Sequence, residues 1–148
     1  MNSNKDTMNE LDYPEFMCFR LNAISRRIAR AHGKVCAEHG ITGGQSFILF
    51  DLLNNEGSTI TEIATRVQLD NPAVGAYIDR LIKEDLVVRV DDPKDRRLYR
   101  IYLTNKGRRI AEELLPKTRK VHNTIVKLID SDNFSIFSDS LRKLEEGL

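Results

Sequence analysis

The sequence has few cysteines, no long apolar run and almost no net charge, and each shortage excludes a class of protein. Two cysteines in 148 residues are too few for a disulfide scaffold, which favours a reducing cytoplasm. No run of about eighteen apolar residues is available to span a membrane, and the polar N-terminus lacks the apolar core of an export signal. The formal net charge of +1 gives no global sign of nucleic-acid binding. We therefore expect a cytoplasmic protein that is neither secreted nor embedded in a membrane.

The charge that is present is unevenly distributed. Residues 86–109 hold eight Arg or Lys against three Asp, whereas residues 1–15 hold four acids against one Lys. A local basic lobe on a nearly neutral protein is compatible with DNA binding. The alternative interpretation of the same run is a charged hairpin that is simply solvated.

The segment 71–103 changes from a helical pattern to a strand pattern. Its first half has apolar residues at i, i+4 and i+7, which gives one core-directed helix face. After Glu84 the period becomes two, over β-branched and aromatic runs at 86–90 and 98–103. The connection Asp92-Pro93-Lys94-Asp95 is typical of a turn. A helix followed by a basic hairpin can place the helix in a major groove and the hairpin over the adjacent minor groove.

The run LDNPAVGAYIDRLIKEDLVVRVDDPKDRRLYRIYLTNKGRR resembles the DNA-binding lobe of the multiple-antibiotic-resistance regulator (MarR) family. Its most specific part is DPKDRR, followed six residues on by LTNKG, and the resemblance extends from about Phe16 to the C-terminus. It implies a homodimeric bacterial or archaeal transcription factor whose DNA affinity is lowered by a small ligand or by oxidation. We expect such a protein to bind a near-palindromic double-stranded operator, and to have neither enzymatic activity nor a cofactor.

The predicted fold is mainly α with a small β-wing, in a single MarR-like domain over residues 1–148. A winged helix-turn-helix lobe is expected at 42–105, flanked by dimerisation helices at 14–38 and 106–148. The first flanking helix carries a heptad-like apolar seam, and the last helices carry apolar stripes wider than one small lobe can bury, which argues for a dimer. Pro116 predicts a kink or break in the helix that follows the wing.

Candidate DNA-binding residues lie on the recognition helix and at the wing tip. Four small residues on that helix offer no side-chain donor to a base edge, so methyl contacts, backbone approach and indirect readout remain. By resemblance, Arg97 matches the arginine that enters the minor groove and Asp95 the acid that braces it, while Arg96 is expected to contact phosphate. The full set is Asn71, Pro72, Ala73, Gly75, Ala76, Arg80, Lys83, Lys94, Asp95, Arg96 and Arg97. The small residues also leave open a winged-helix module that binds protein, although the basic tip favours DNA.

Cys18 is a possible redox sensor. The segment EFMCFRLNAISR resembles the corresponding part of organic-hydroperoxide-sensing members of the family, and a helix start with nearby arginines favours the reactive thiolate. The tyrosines that partner the sensing thiol in those relatives are replaced here by Asn22 and His32. The alternatives are a small buried hydrophobe and a thiol enzyme centred on Cys18, which has no CxxC motif to support it.

A small and polar stripe on the first helix suggests a ligand pocket between the dimerisation and DNA-binding lobes. Its candidate lining residues are Asn22, Ser25 and His32. His32, Cys36 and His39 share a face and are in principle zinc ligands. We favour ordinary, partly buried side chains there and predict no metal site.

Overall fold

The computed structural model describes residues 12–148, so residues 1–11 of the predicted single domain lie outside the description. Within the described part the chain forms six α-helices and one antiparallel pair of strands, which confirms the mainly α class with a small β-wing. The helices are α1 (Met17–Ala37), α2 (Gly43–Asn54), α3 (Ile60–Val67), α4 (Asn71–Lys83), α5 (Asn105–Ile129) and α6 (Ser131–Gly147). The strands are β1 (Val87–Asp91) and β2 (Tyr99–Leu103).

Helices α2, α3 and α4 begin at caps that their local sequence supplies. The side chains of Thr42 and Thr59 each accept a hydrogen bond from the backbone amide three residues on. The side chain of that third residue in turn accepts a hydrogen bond from the backbone amide of the threonine. Each of these two arrangements is a capping box, which the sequence pattern of Thr with Gln or Glu three residues on predicts. Asp70 caps α4 by accepting the Ala73 amide at 2.7 Å. A tight turn joins α3 to α4, and together they form the helix-turn-helix.

The middle of strand β2 pairs with the segment that precedes α3. Ser58 forms an isolated bridge with Ile101 of β2, and the Ile101 amide donates to the Ser58 carbonyl at 2.9 Å. At the other end of the hairpin, Asp91 pairs with Tyr99. The 92–98 loop therefore forms the tip of the wing.

The core lies where α2, α3 and α4 pack against the wing and the first half of α5. The predicted i, i+4, i+7 face of α4 points into it. The largest fully buried side chains include Ile48, Leu49, Leu52, Ile63, Val74, Ile78, Leu81, Leu86, Ile101 and Leu114. This core belongs to the winged helix-turn-helix lobe and packs against the inner face of the recognition helix α4.

A glycine fixes the contact between α5 and the turn that follows α4. A Cβ added at Gly107 would lie 1.9 Å from the carbonyl oxygen of Leu86. The same carbonyl accepts the Thr104 amide at 3.0 Å, and the Thr104 hydroxyl caps α5 by accepting the Gly107 amide at 2.9 Å. The base of the wing and the start of α5 are thus tied together.

Three predicted element starts differ from the observed ones by one to three residues. The first helix begins at Met17 instead of Pro14, because Tyr13–Glu15 forms a separate 3-10 turn. Both strands start one residue later than predicted, since Leu86 is taken up in the turn after α4 and Leu98 closes the tip by accepting the Asp92 amide.

The break predicted at Pro116 is wrong, because α5 continues through it as one helix. Proline removes one amide, which leaves the carbonyl of Glu112 without its usual partner. Pro116 and Glu112 are both exposed, so water can satisfy that carbonyl. The helix therefore remains continuous over 25 residues.

Large apolar side chains remain exposed on α1, on α6 and at the end of α5. Leu128 is 83% exposed and Ile136 is 68% exposed. Others are Met17, Leu21, Ile24, Ile28, Phe137 and Leu144. In the part of the chain described here, no helix combines the length and apolar character needed to cross a bilayer.

Candidate nucleic-acid interface and ligand cavity

Helix α4 has an outer face with few polar groups. Pro72, Ala76, Arg80 and Lys83 are exposed, while Ala73 and Gly75 are half-buried. A Cβ added at Gly75 would meet nothing within 4 Å. The surface beside this part of the backbone is therefore open, and another molecule can approach it closely.

Asn71 is already engaged within the protein. Its Nδ2 donates to the Thr61 hydroxyl at 3.0 Å, which joins the start of α4 to α3. This contact orients the start of the recognition helix and uses one N–H of the Asn71 amide.

The wing tip holds one paired arginine and one arginine beside it. Arg97 donates through Nε to Asp95 Oδ1 at 3.1 Å and through Nη2 to Asp95 Oδ2 at 3.2 Å. Its side chain is nevertheless 89% exposed. The Arg97 side chain holds the pKa of Asp95 below its ordinary value. Lys94 and Arg96 are exposed on the same loop, so the tip presents three cations around one bound carboxylate.

A second carboxylate, which was not predicted as a site residue from the sequence, holds the conformation of this loop. Asp92 is buried, and its Oδ1 accepts the backbone amides of Lys94 at 2.8 Å and Asp95 at 2.9 Å. Its Oδ2 accepts Arg100 Nε at 2.6 Å, and Arg100 Nη1 donates to the Gly57 carbonyl at 2.8 Å. The hydrogen bond from the Lys94 amide, then that from the Arg100 side chain, and then that from the Asp95 amide lower the pKa of Asp92. Asp92 therefore orders the tip and links it to the helix-turn-helix.

A cavity of about 670 Å³ lies between α1, α2, α5 and α6. This volume falls within the range of roughly 300–1,000 Å³ for small-molecule sites. Most of its lining is apolar, with four polar side chains: Ser25, His32, Thr118 and His122. The predicted pocket residues Ser25 and His32 do line it.

Asn22 does not line this cavity, contrary to the sequence prediction. It shares the helical stripe of Ser25, but its Nδ2 donates to the Cys18 carbonyl one turn earlier at 2.7 Å. The side chain thus folds back along its own helix. Thr118 and His122 were missed because the prediction followed the stripe on α1, whereas they lie far along the chain on α5.

His32 is the most buried polar group of the cavity wall. Its Nε2 lies 2.8 Å from the Ser46 hydroxyl and 3.5 Å from the Cys36 sulfur, and its ring stacks on Phe47 with centroids 5.0 Å apart. Burial lowers the pKa of His32 and raises that of Cys36. Both groups are therefore neutral near pH 7.

The structure does not gather the zinc ligands considered from the sequence. His39 lies in the turn after α1, where Lys117 Nζ is 3.1 Å from its Nε2 and Glu113 Oε2 is 3.8 Å from its Nδ1. Across residues 12–148, no three His, Cys, Asp or Glu side chains cluster as metal binding requires.

Cys18 is exposed in the first turn of α1, and Cys36 is buried near its end. Eighteen residues of helix separate them by about 27 Å at 1.5 Å per residue, so they cannot form a disulfide within one chain. Nothing at Cys18 in the described residues favours the redox interpretation over control by a small ligand.

Comparisons with known proteins agree with this geometry. The sequence profile described as "MarR family" matches residues 41–99. An uncharacterized HTH-type transcriptional regulator of Bacillus subtilis, YsmB, is 31% identical over 128 residues, covering 86% of this chain and 88% of that protein. The Staphylococcus aureus MepR–DNA complex superposes with a TM-score of 0.85 at 22% identity, over 90% of this chain and 98% of that one. Bordetella bronchiseptica BpsR, whose DNA binding is regulated by 6-hydroxynicotinic acid, gives a TM-score of 0.84 at 21% identity, over 90% and 95% of the two chains.

Proposed function

Because this chain belongs to the MarR family of DNA-binding transcriptional regulators, we propose that it is a homodimeric repressor released from its operator by a small ligand. Proteins of this family act by binding DNA, not by catalysis. The proposal assigns DNA contact to α4 and the wing, dimerisation to residues 14–38 and 106–148, and ligand binding to the cavity between them.

The DNA-binding part of the proposal is supported by the open face of α4 and the cationic wing tip. An α-helix fits a major groove, and a guanidinium such as that of Arg97 suits the negative potential of a narrow minor groove. The helix provides few polar groups of its own, so the wing carries a large share of the affinity. Arg80 and Lys83, exposed near the end of α4, are assigned to phosphates.

The dimer is supported by the exposed apolar side chains of α1, α6 and the end of α5. An extended apolar surface of this kind marks a protein contact site. In a two-fold dimer, the two recognition helices address half-sites about 34 Å apart, one helical turn of DNA, which calls for a near-palindromic operator.

Ligand control rests above all on one contact between the cavity wall and the recognition helix. Gly43, Gly44 and Phe47 of α2 line the cavity, and a Cβ at Gly44 would lie 2.4 Å from the ring and hydroxyl of Tyr77 on α4. A ligand that moves the start of α2 therefore pushes directly on the recognition helix. That displacement changes the position of α4 relative to DNA and lowers affinity.

The test is a binding titration by fluorescence anisotropy with DNA from upstream of the protein's own gene, followed by footprinting. We expect tight binding that is sensitive to salt, and protection of two half-sites one helical turn apart. A scrambled duplex of equal length serves as the control. Equal affinity for both duplexes would contradict a sequence-specific regulator and favour a protein-binding winged helix.

A further inference from the structure

We propose that Asp79 of the recognition helix contacts a base in the major groove and selects cytosine, and that Arg89 of the wing holds it in position. This inference rests on the proposed function, in which α4 contacts the DNA, and it adds a specificity-determining residue to that interface. It follows from three features of Asp79: its place on α4, its contact with the wing and the oxygen that this contact leaves available.

Asp79 lies within the face of α4 that is assigned to DNA. Residues 72, 76, 79 and 83 follow one another at helical spacings of four, three and four, so they share one side of the helix, and all four are exposed. Pro72 and Ala76 have no polar side-chain atom. Arg80 and Lys83 only donate hydrogen bonds. Asp79 is thus the one side chain among these five that can accept a hydrogen bond from a base.

The residues before Asp79 allow a short side chain to reach a base. Ala76 precedes it by one turn on the same face, and a Cβ added at Gly75 would meet nothing within 4 Å. A helix fits into the major groove, and side chains this small let its backbone lie close to the base edges. A carboxylate on a short stem then reaches an edge that a recessed helix would leave out of range.

The wing fixes the direction of the Asp79 carboxylate. Arg89 of β1 donates through Nη2 to Asp79 Oδ1 at 2.9 Å, and its guanidinium carbon lies 5.1 Å from the centroid of the Tyr99 ring on β2. The side chains of Asp79 and Arg89 are 63% and 34% exposed, and an ion pair this exposed adds little to the stability of a fold. Its main effect is therefore to orient Asp79, which makes Arg89 a positioning residue.

The second oxygen of Asp79 remains available to another molecule. Among residues 12–148, no group donates a hydrogen bond to Oδ2. In the major groove, cytosine presents the N4 amino group as a donor, whereas guanine and thymine present acceptors. Adenine has an amino group too, but the N7 acceptor beside it repels a carboxylate. Asp79 therefore favours cytosine over the other three bases.

The negative charge of Asp79 also acts against every other sequence. Phosphates repel a carboxylate wherever the helix binds, and only a donor at the base edge offsets that repulsion. Specificity is a difference between two affinities, so a group that is unfavourable on most sequences and favourable on one increases it. Removing the charge should accordingly weaken operator binding and leave binding to unrelated DNA equal or tighter.

The test measures base preference at each position with the full-length protein. The probes are duplexes of the DNA upstream of the protein's own gene, each with one base pair replaced in both half-sites, and binding is followed by fluorescence anisotropy. At one position of each half-site, replacing a C·G pair should weaken wild-type binding by about 5- to 150-fold. Asp79→Asn should reduce that penalty to about twofold or less at this position alone. It should also bind a scrambled duplex at least as tightly as the wild type does.

The matched control is Glu84→Gln, which neutralises an exposed acid directly after α4 and outside its DNA face, and which should leave every preference unchanged. Arg89→Met should lessen the preference for cytosine, whereas Arg89→Lys, which keeps the ion pair, should retain it. Circular dichroism should show all variants folded.

Three results would overturn the inference while leaving the proposed function intact. They are a wild-type protein without any preference for cytosine, an Asp79→Asn variant that keeps all wild-type preferences, and an equal loss of preference at every position. The last of these would mean that Asp79 only supports the fold of the lobe. Equal affinity of the wild type for the operator and the scrambled duplex would instead refute the proposed function, and the inference with it.

Discussion

At the scale of single residues, we predict different roles in DNA binding for the two neighbouring arginines of the wing tip. Arg97 is oriented by Asp95, so Arg97→Ala should weaken operator binding by about 1–3 kcal/mol, the scale of a specific groove contact. Arg96→Ala should weaken all sequences alike and reduce the salt slope by about one unit. Anisotropy titrations over a salt series measure both. If Arg97→Ala binds the operator like the wild type, the wing-centred mechanism is wrong.

The buried carboxylate of Asp92 should matter for DNA binding without contacting DNA. Asp92→Asn keeps the shape but loses the charge that pairs with Arg100, so the tip loosens and operator affinity should fall several-fold. Asp91→Asn is the matched control, since Asp91 is exposed on β1. Circular dichroism should show both variants folded. Equal affinity of the two variants would show that the tip needs no such anchor.

His32 should make stability depend on pH. Burial lowers its pKa from the ordinary value of 6.5, so below about pH 6.5 the unfolded state binds more protons than the folded state and the free energy of unfolding falls as the pH drops. Above that pH the contribution is intact. Urea denaturation at pH 7.5 and 5.5 should show a smaller loss of the free energy of unfolding for His32→Gln than for the wild type, and equal losses would contradict the role of His32. Asp92 and Asp95 have lowered pKa values and act only near pH 4 and below.

How far single residues could be predicted from the sequence depends on the distance to their partners. The role of Asp92 in the turn could have been predicted, because an Asp side chain commonly accepts hydrogen bonds from the backbone amides two and three residues on. Its link to Gly57 was not, since Arg100 and Gly57 lie 43 positions apart. Asn22 was placed correctly on its helical stripe and wrongly in the cavity, because spacing does not reveal a side chain that bonds to its own helix.

At the scale of elements, residues close in sequence determine where the helices begin. The continuity of α5 depends instead on solvent exposure. The caps at Thr42, Thr59 and Thr104 involve residues three positions apart, so the sequence predicts them directly. The continuity of α5 through Pro116 depends on which side of the helix faces water, and that follows only from the packed structure.

The close approach of α5 to the base of the wing gives a prediction at this scale. Gly107→Ala places a methyl group against the backbone carbonyl of Leu86, which cannot move aside as a side chain can, so the free energy of unfolding should fall by at least about 1–3 kcal/mol. Gly33→Ala is the control, because a Cβ there meets nothing within 4 Å and alanine favours a helix interior by about 0.5–1 kcal/mol. Thermal melts of both variants decide the matter; a stable Gly107→Ala would contradict the tight packing.

At the scale of the whole molecule, the exposed apolar side chains predict the assembly. The double variant Leu128→Asp, Ile136→Asp should dissociate the dimer at micromolar concentration, because burying a carboxylate in an apolar interface is costly. Both positions are largely exposed in the single chain, so the folded protomer should survive. Ser135→Asp, exposed on α6, is the control. Analytical ultracentrifugation gives the mass of the assembly. A double variant that is still dimeric would show that the interface lies elsewhere.

The unbroken α5 has the geometry of a lever. It is 25 residues long, or about 37 Å at 1.5 Å per residue, and it touches the wing at Gly107, the cavity at Thr118 and the apolar end surface at Leu128. A tilt of about 3° with its pivot at Thr118 moves the wing end, about 20 Å away, by about 1 Å. Because α5 is not interrupted at Pro116, a rigid tilt of the helix moves its opposite end, around Leu128, at the same time. In the proposed mechanism, a ligand that tilts α5 by a few degrees therefore changes the position of the wing and of the apolar end surface together.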